Sequence, residues 1–211
     1  MICTTNKAIA EVVAHLRQHA SEADDRQIIG IVGAPGTGKS TVAHLVAECL
    51  GADAVVVPMD GFHLANTILD GTPLKDRKGA IDTFDVGGLL SLLKRLRSRD
   101  EQVVYAPAYR RGLEEPIAAS IAVPQSARVV LTEGNYLLAD DGPWAALRGL
   151  LDETWFVETP QETRLARLID RHVAAGMDRE AATDWANGPD ERNARFVHST
   201  RHRADRTIQW N

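Results

Sequence analysis

The stretch GAPGTGKS, Gly33 to Ser40, decides the reading of this chain. It fits G-x-x-x-x-G-K-[ST], the pattern of a phosphate-binding P-loop. Each residue type has a task there. Glycines let the backbone curl, so that successive N–H groups point inward at anionic oxygens. A helix starting near Lys39 adds the partial positive charge of its N-terminus. Lys39 reaches the β- and γ-phosphates, and the Ser40 hydroxyl is a magnesium ligand. Gly33, Ala34, Pro35, Gly36, Thr37, Gly38, Lys39, Ser40 and Thr41 are therefore the expected nucleotide cradle.

The flanks agree with that assignment. Gln27 to Val32 reads as a strand entering the loop. Lys39 to Leu50 reads as a helix leaving it, with Val42, Leu45, Val46, Cys49 and Leu50 on one face. Further out, strands are expected at Ala54–Pro58, Gln102–Ala106, Ala127–Thr132 and Thr154–Val157. Val86 to Arg99 is a Leu-rich helix, and Asp85 before it suits an N-cap. Ile9, Val12, Val13 and Leu16 mark an amphipathic first helix. Apolar strands alternating with helices predict an α/β fold of the P-loop NTPase kind, a parallel sheet with helices on both faces. Thr159, Pro160 and Glu162 form a capping-box signature for a helix that stops at Gly176. A second helix is expected from Asp178 to Ala186. This helical hairpin, 160–187, is read as a small lid on a single domain, 1–211. Pro189 is expected to open another helix, and RTIQW, from Arg206, to form an edge strand.

The chain has 211 residues, 44% hydrophobic and 25% charged, the composition of one folded domain. Its net charge of −5 argues against a nucleic-acid binder. No apolar run is long enough to cross a membrane, and Lys7, Glu11, His15 and Arg17 interrupt any signal-peptide core. Two cysteines, Cys3 and Cys49, do not imply a disulfide scaffold, so the expected compartment is the cytoplasm. Self-association into a homodimer is left open.

Two carboxylates stand at expected strand ends. The run ARVVLTEGNYLL ends its strand at Glu133, where a second magnesium ligand belongs. AVVVPMDGFHLAN places Asp60 just past the strand that follows the P-loop helix. Ligands of a doubly wound sheet collect outside such strand ends. Asp60 could thus take the proton of an attacking hydroxyl, or it could simply begin a turn.

The P-loop followed by MDGFH, RKGAIDTFD and TEGNYLL resembles the P-loop kinases of small metabolites. The group includes uridine kinase, phosphoribulokinase and type I pantothenate kinase, with the strongest likeness to a bacterial branch labelled fructokinase. The resemblance implies an ATP- and Mg²⁺-dependent kinase in which Asp60 is the general base. It implies that Asp82 holds a substrate hydroxyl, that Tyr109 in YAPAYRRG lies beside the acceptor, and that Glu133 is the strand-end carboxylate. Arg110 and Arg111 follow Tyr109 where relatives often carry Asp or His. Phe62, Tyr109 and Tyr136 could offer a ring to a base. His63 is read three ways: orienter of Asp60, substrate contact, or packed loop residue. Arg164, Arg167 and Arg171 form one helical stripe, either solvated or closing on the transferred phosphoryl group, with Arg171 best placed for a lid. Arg77, Lys78, Arg110 and Arg111 would suit a nucleoside monophosphate acceptor. A free sugar such as fructose ranks first, because Asp60 and Asp82 together would repel an anion. Nucleosides and pantothenate follow, and the rival of another class is a regulatory P-loop NTPase.

Overall fold

The computed structural model describes residues 6–22 and 25–211. Helix α1 is Lys7–Glu22, β1 is Gln27–Val32 and α2 is Lys39–Leu50. Strand β2 is Ala54–Pro58, α3 is Val86–Ser98, β3 is Val103–Arg110 and β4 is Glu115–Pro124. Strand β5 is Val129–Gly134 and β6 is Glu153–Glu158. Helices α4, Gln161–Ala174, α5, Arg179–Trp185, and α6, Glu191–Ser199, precede β7, Arg206–Gln209. The main sheet has five strands in the order β2-β5-β1-β6-β7, all parallel.

Strand periodicity builds two cores. Ile29 and Ile31 of β1, with Trp155 and Val157 of β6, pack under α1 and α2. Ile28 and Val32, with Val57, Val130 and Phe156, pack on the opposite face against Leu89, Leu93 and Leu96 of α3. The α1 residues Ile9, Val12, Val13 and Leu16 are all buried, as their spacing predicts. Cys49 is buried on α2. Cys3 lies outside the described residues. No helix among the described residues is long and apolar enough to cross a membrane.

Three expectations need correction. The segment Gln102–Ala106 does not join the main sheet. It belongs to β3, which pairs antiparallel with β4 in a separate two-stranded sheet. The capping box on α4 does not form. Its cap is Pro160 with no side-chain hydrogen bond, and the Thr159 hydroxyl instead lies 2.8 Å from the Thr37 carbonyl and 2.6 Å from that of Trp210. Pro189 does not open a helix, because it sits inside a π-helical turn, Ala186–Asp190, that runs straight into α6. Asp85 does cap α3, accepting from the Gly88 N–H at 2.8 Å.

Candidate active site

The loop between β1 and α2 divides into a frame and a lining. Thr37 is buried, and its N–H and hydroxyl both donate to the Ala34 carbonyl, at 3.2 and 2.9 Å. Gly33, Ala34 and Thr37 thus form the frame. Pro35, Gly36, Gly38, Lys39, Ser40 and Thr41 line a cleft of about 980 Å³, the size of a ligand pocket. Gly36 and Gly38 both have φ of 85°, a left-handed conformation that favours glycine. Helix α4 supports the loop from behind. A Cβ on Gly36 would fall 2.7 Å from both the Arg164 carbonyl oxygen and Leu168 Cγ.

The parallel register brings the carboxylates to the same mouth. Ile31 pairs with Glu133, and Pro58 of β2 pairs with the same Glu133 from the other side. The Ser40 hydroxyl donates to Glu133 Oε1 at 2.9 Å. Glu133 is only 4% exposed. Burial pushes its pKa up, against the pull of Lys39, and burial also pushes Lys39 down. A hydroxyl beside a carboxylate is the hard-oxygen donor pair that suits Mg²⁺, an ion that takes one or two carboxylates and completes its shell from phosphates and water. Asp60 stands two residues past β2 in a 3₁₀ turn, Met59–Phe62, and lines the cleft 3.9 Å from Arg111 Nη2. Gly61 has a reason of its own, since any side chain there would collide with the Pro107 carbonyl of β3. The β3–β4 hairpin is thereby seated on the Asp60 turn.

The opposite half of the cleft is crowded with paired groups. His63 Nδ1 donates to the Asp60 carbonyl at 2.8 Å, and its ring packs against Phe84 and Tyr109 at 4.1 and 4.6 Å. Burial holds His63 below its ordinary pKa, so it is neutral near pH 7. The Tyr109 hydroxyl donates to Glu114 at 2.9 Å. Asp82 pairs with Arg77. Lys78 donates to Asn66 Oδ1 and the Glu114 carbonyl, and Lys75 pairs with Asp70 at 2.7 Å. Tyr136 is 1% exposed, and its hydroxyl donates to the Gly79 carbonyl at 2.7 Å. Arg111 lines the cleft and Arg110 is exposed outside it.

The arginine stripe of α4 splits in two. Arg164 is buried, ion-paired with Glu191 and 3.3 Å from the Pro35 carbonyl, so it braces the loop instead of facing solvent or phosphate. Arg167 and Arg171 line the cleft. Arg167 Nη1 is buried and has no hydrogen-bond partner among the described residues. Burial and the neighbouring Arg111 push Arg171 below its ordinary pKa. Two desolvated guanidiniums beside a P-loop suit a polyanionic ligand. Sequence reasoning missed Asn135 and the α6 residues Arg192, Asn193 and Phe196, which also line the cleft. Nothing in the spacing of the three α6 residues separates them from an ordinary amphipathic helix face, and Asn135 sits in the bend after β5.

The sequence pattern of the phosphoribulokinase / uridine kinase family matches residues 28–210. The chain is 32% identical over 195 residues to the Schizosaccharomyces pombe protein named "Putative uridine kinase C227.14", covering 87% of this chain and 83% of that one. A crystal structure of a "putative fructose transport system kinase" from Silicibacter sp. TM1040 superposes with a TM-score of 0.85 at 36% identity, covering 94% of this chain and 98% of the other. YFH7 from Saccharomyces cerevisiae shares the fold alone, with a TM-score of 0.81 at 18% identity, covering 95% and 98%.

Proposed function

The chain belongs to the phosphoribulokinase / uridine kinase family and is an ATP-dependent kinase of a small molecule, and from that premise we propose that its acceptor is a neutral polyol, a free sugar such as fructose. The observation that carries this is the pairing of charges in the acceptor half. Four cations there already have a protein partner: Arg77 with Asp82, Lys75 with Asp70, Lys78 with Asn66 and Glu114, Arg111 with Asp60, while Arg192 of α6 lines the cleft with no ion pair among the described residues. An anionic acceptor held by any of these four would have to displace its partner, whereas hydroxyls can share these groups. The name of the Silicibacter relative supports the same choice.

The proposed roles follow from position. Bound as its magnesium complex, ATP supplies the transferable γ-phosphoryl group. Ser40 and Glu133 would hold the magnesium ion. Lys39, Arg167 and Arg171 offset the phosphate charge, the two arginines from a lid spanning 160–187. Asp60 accepts the proton as the acceptor oxygen bonds to phosphorus and the bond to the departing ADP oxygen breaks. His63, neutral and bonded to the Asp60 carbonyl, holds the turn, and Asp82, Tyr109, Arg111 and Tyr136 shape the acceptor half. ATP use supports a cytoplasmic location, and the net charge of −5 supports a small-molecule partner over nucleic acid. A nucleoside is the second reading, supported by the His63, Phe84 and Tyr109 rings, on which a base could stack.

An ADP-release screen of the purified protein against sugars, nucleosides, pantothenate and nucleoside monophosphates tests the assignment. Turnover with fructose or a related sugar is expected. Strong turnover with uridine or pantothenate, and none with any sugar, would overturn the ranking. A basal ATPase that no metabolite stimulates would favour a nucleotide-driven switch.

A further inference from the structure

Helix α6 turns Asn193 and Phe196 toward the cleft. Phe196 keeps 38% of its surface exposed, with its ring 5.8 Å from that of Tyr136. An aromatic ring left open inside a cleft is a surface for a ligand to cover. Asn135, which follows the Glu133 strand, lines the same cleft. Its Oδ1 is sealed from solvent and has no hydrogen-bond partner among the described residues. That oxygen is closed to a ligand as well, and Asn135 meets the cleft through the part of the residue that stays partly exposed.

A ring platform beside two carboxamides suits a polyhydroxylated ring. Its C–H face covers the phenyl group, and each hydroxyl can both donate to and accept from a carboxamide. We infer that α6 is the acceptor-reading wall of this kinase: Phe196 stacks on the sugar, and Asn193 with Asn135 discriminates its hydroxyls. The inference rests on the sugar reading above and deepens it.

The wall is fixed relative to the phosphate arginines. His172 Nε2 of α4 donates to Asp190 at 2.7 Å, and Arg164 of α4 pairs with Glu191. Arg167 and Arg171 lie between these two ties along α4. A sugar seated on α6 is therefore held in register with the groups that face the phosphates.

Steady-state kinetics of the full chain with ATP and D-fructose tests the wall, using Asn193→Ala, Phe196→Ala and Phe196→Tyr, with thermal melts to establish folding. The fructose KM should rise at least about tenfold in each alanine variant, with the ATP KM within about twofold of wild type, and Phe196→Tyr should stay close to wild type because it keeps the ring. Unchanged fructose KM in both folded alanine variants would overturn the inference. If the wild type uses uridine or pantothenate and no sugar, the sugar reading fails by that result alone. The same variants then decide the wall with that acceptor: a raised acceptor KM supports it, and an unchanged one overturns it. A wild type that turns over no member of the panel overturns both.

Discussion

At the scale of single residues, the site is built on charges held away from water. Glu133 sits 4% exposed between β1 and β2, and the Ser40 hydroxyl donates to it. Its pKa is raised, so the stability it contributes is present below the ordinary carboxylate value and is lost as pH rises through the folded value. Ionising this group is thus a net cost to the nucleotide-free protein. Glu133→Gln should melt at or above the wild-type temperature near pH 7, with the gap narrowing toward about pH 5, while kcat falls about a hundredfold or more. A melt clearly below wild type near pH 7 would contradict this. Lys39, Asp60 and Glu133 were legible in the sequence, because a glycine-rich motif and two strand ends leave little freedom in where they go. Asn193 and Phe196 were not, since their place in the cleft comes only from which face of α6 meets it.

At the scale of elements, α4 does two jobs that its sequence presents as one stripe. A spacing of three and seven residues places Arg164, Arg167 and Arg171 together, but it says nothing of what packs around each. Burial decides. Arg164 lies under the P-loop, and the other two face the cleft. Arg164→Met should therefore destabilise by about 3 kcal/mol, because it strands Glu191, and the Arg164→Met/Glu191→Met double variant should regain part of that loss in urea unfolding. Strict additivity of the two losses would contradict the pairing. Arg171→Ala should lower kcat with less effect on ATP affinity, since in the proposed lid its contact strengthens in the reacting state. Unchanged kinetics with reduced stability would return Arg171 to packing. The hairpin strand β4 was invisible in EPIAASIAVP, where alanines and serine offer weak strand preference and a bulge between Ala106 and Ala108 breaks the pairing. The missing cap on α4 has a similar origin, because Thr159 is taken up by the carbonyls of Thr37 and Trp210, which are distant in sequence.

At the scale of the molecule, the order β2-β5-β1-β6-β7 puts the P-loop strand at the centre of the sheet. The strands carrying Asp60 and Glu133 then lie to one side of it, with β6 and α4 on the other. Alternating strands and helices in the sequence were enough to predict this layered core, and Ile28 and Ile29 divide between its two faces as period-two strands require. The separate hairpin seated on Gly61 was not predictable, because it depends on contact between β3 and a turn some forty residues earlier. The resulting cleft has a phosphate side of Lys39, Arg167 and Arg171 and an acceptor side where Arg77, Lys75, Lys78 and Arg111 are paired, with Asp60 between them. In the proposed reaction that carboxylate takes the acceptor proton. Its most direct test is acceptor-stimulated ADP formation by Asp60→Asn, measured beside ATP binding by calorimetry. The variant should bind ATP like the wild type and lose about a hundredfold or more of stimulated turnover, the scale of lost general-base assistance. Undiminished stimulated turnover in Asp60→Asn would contradict the account.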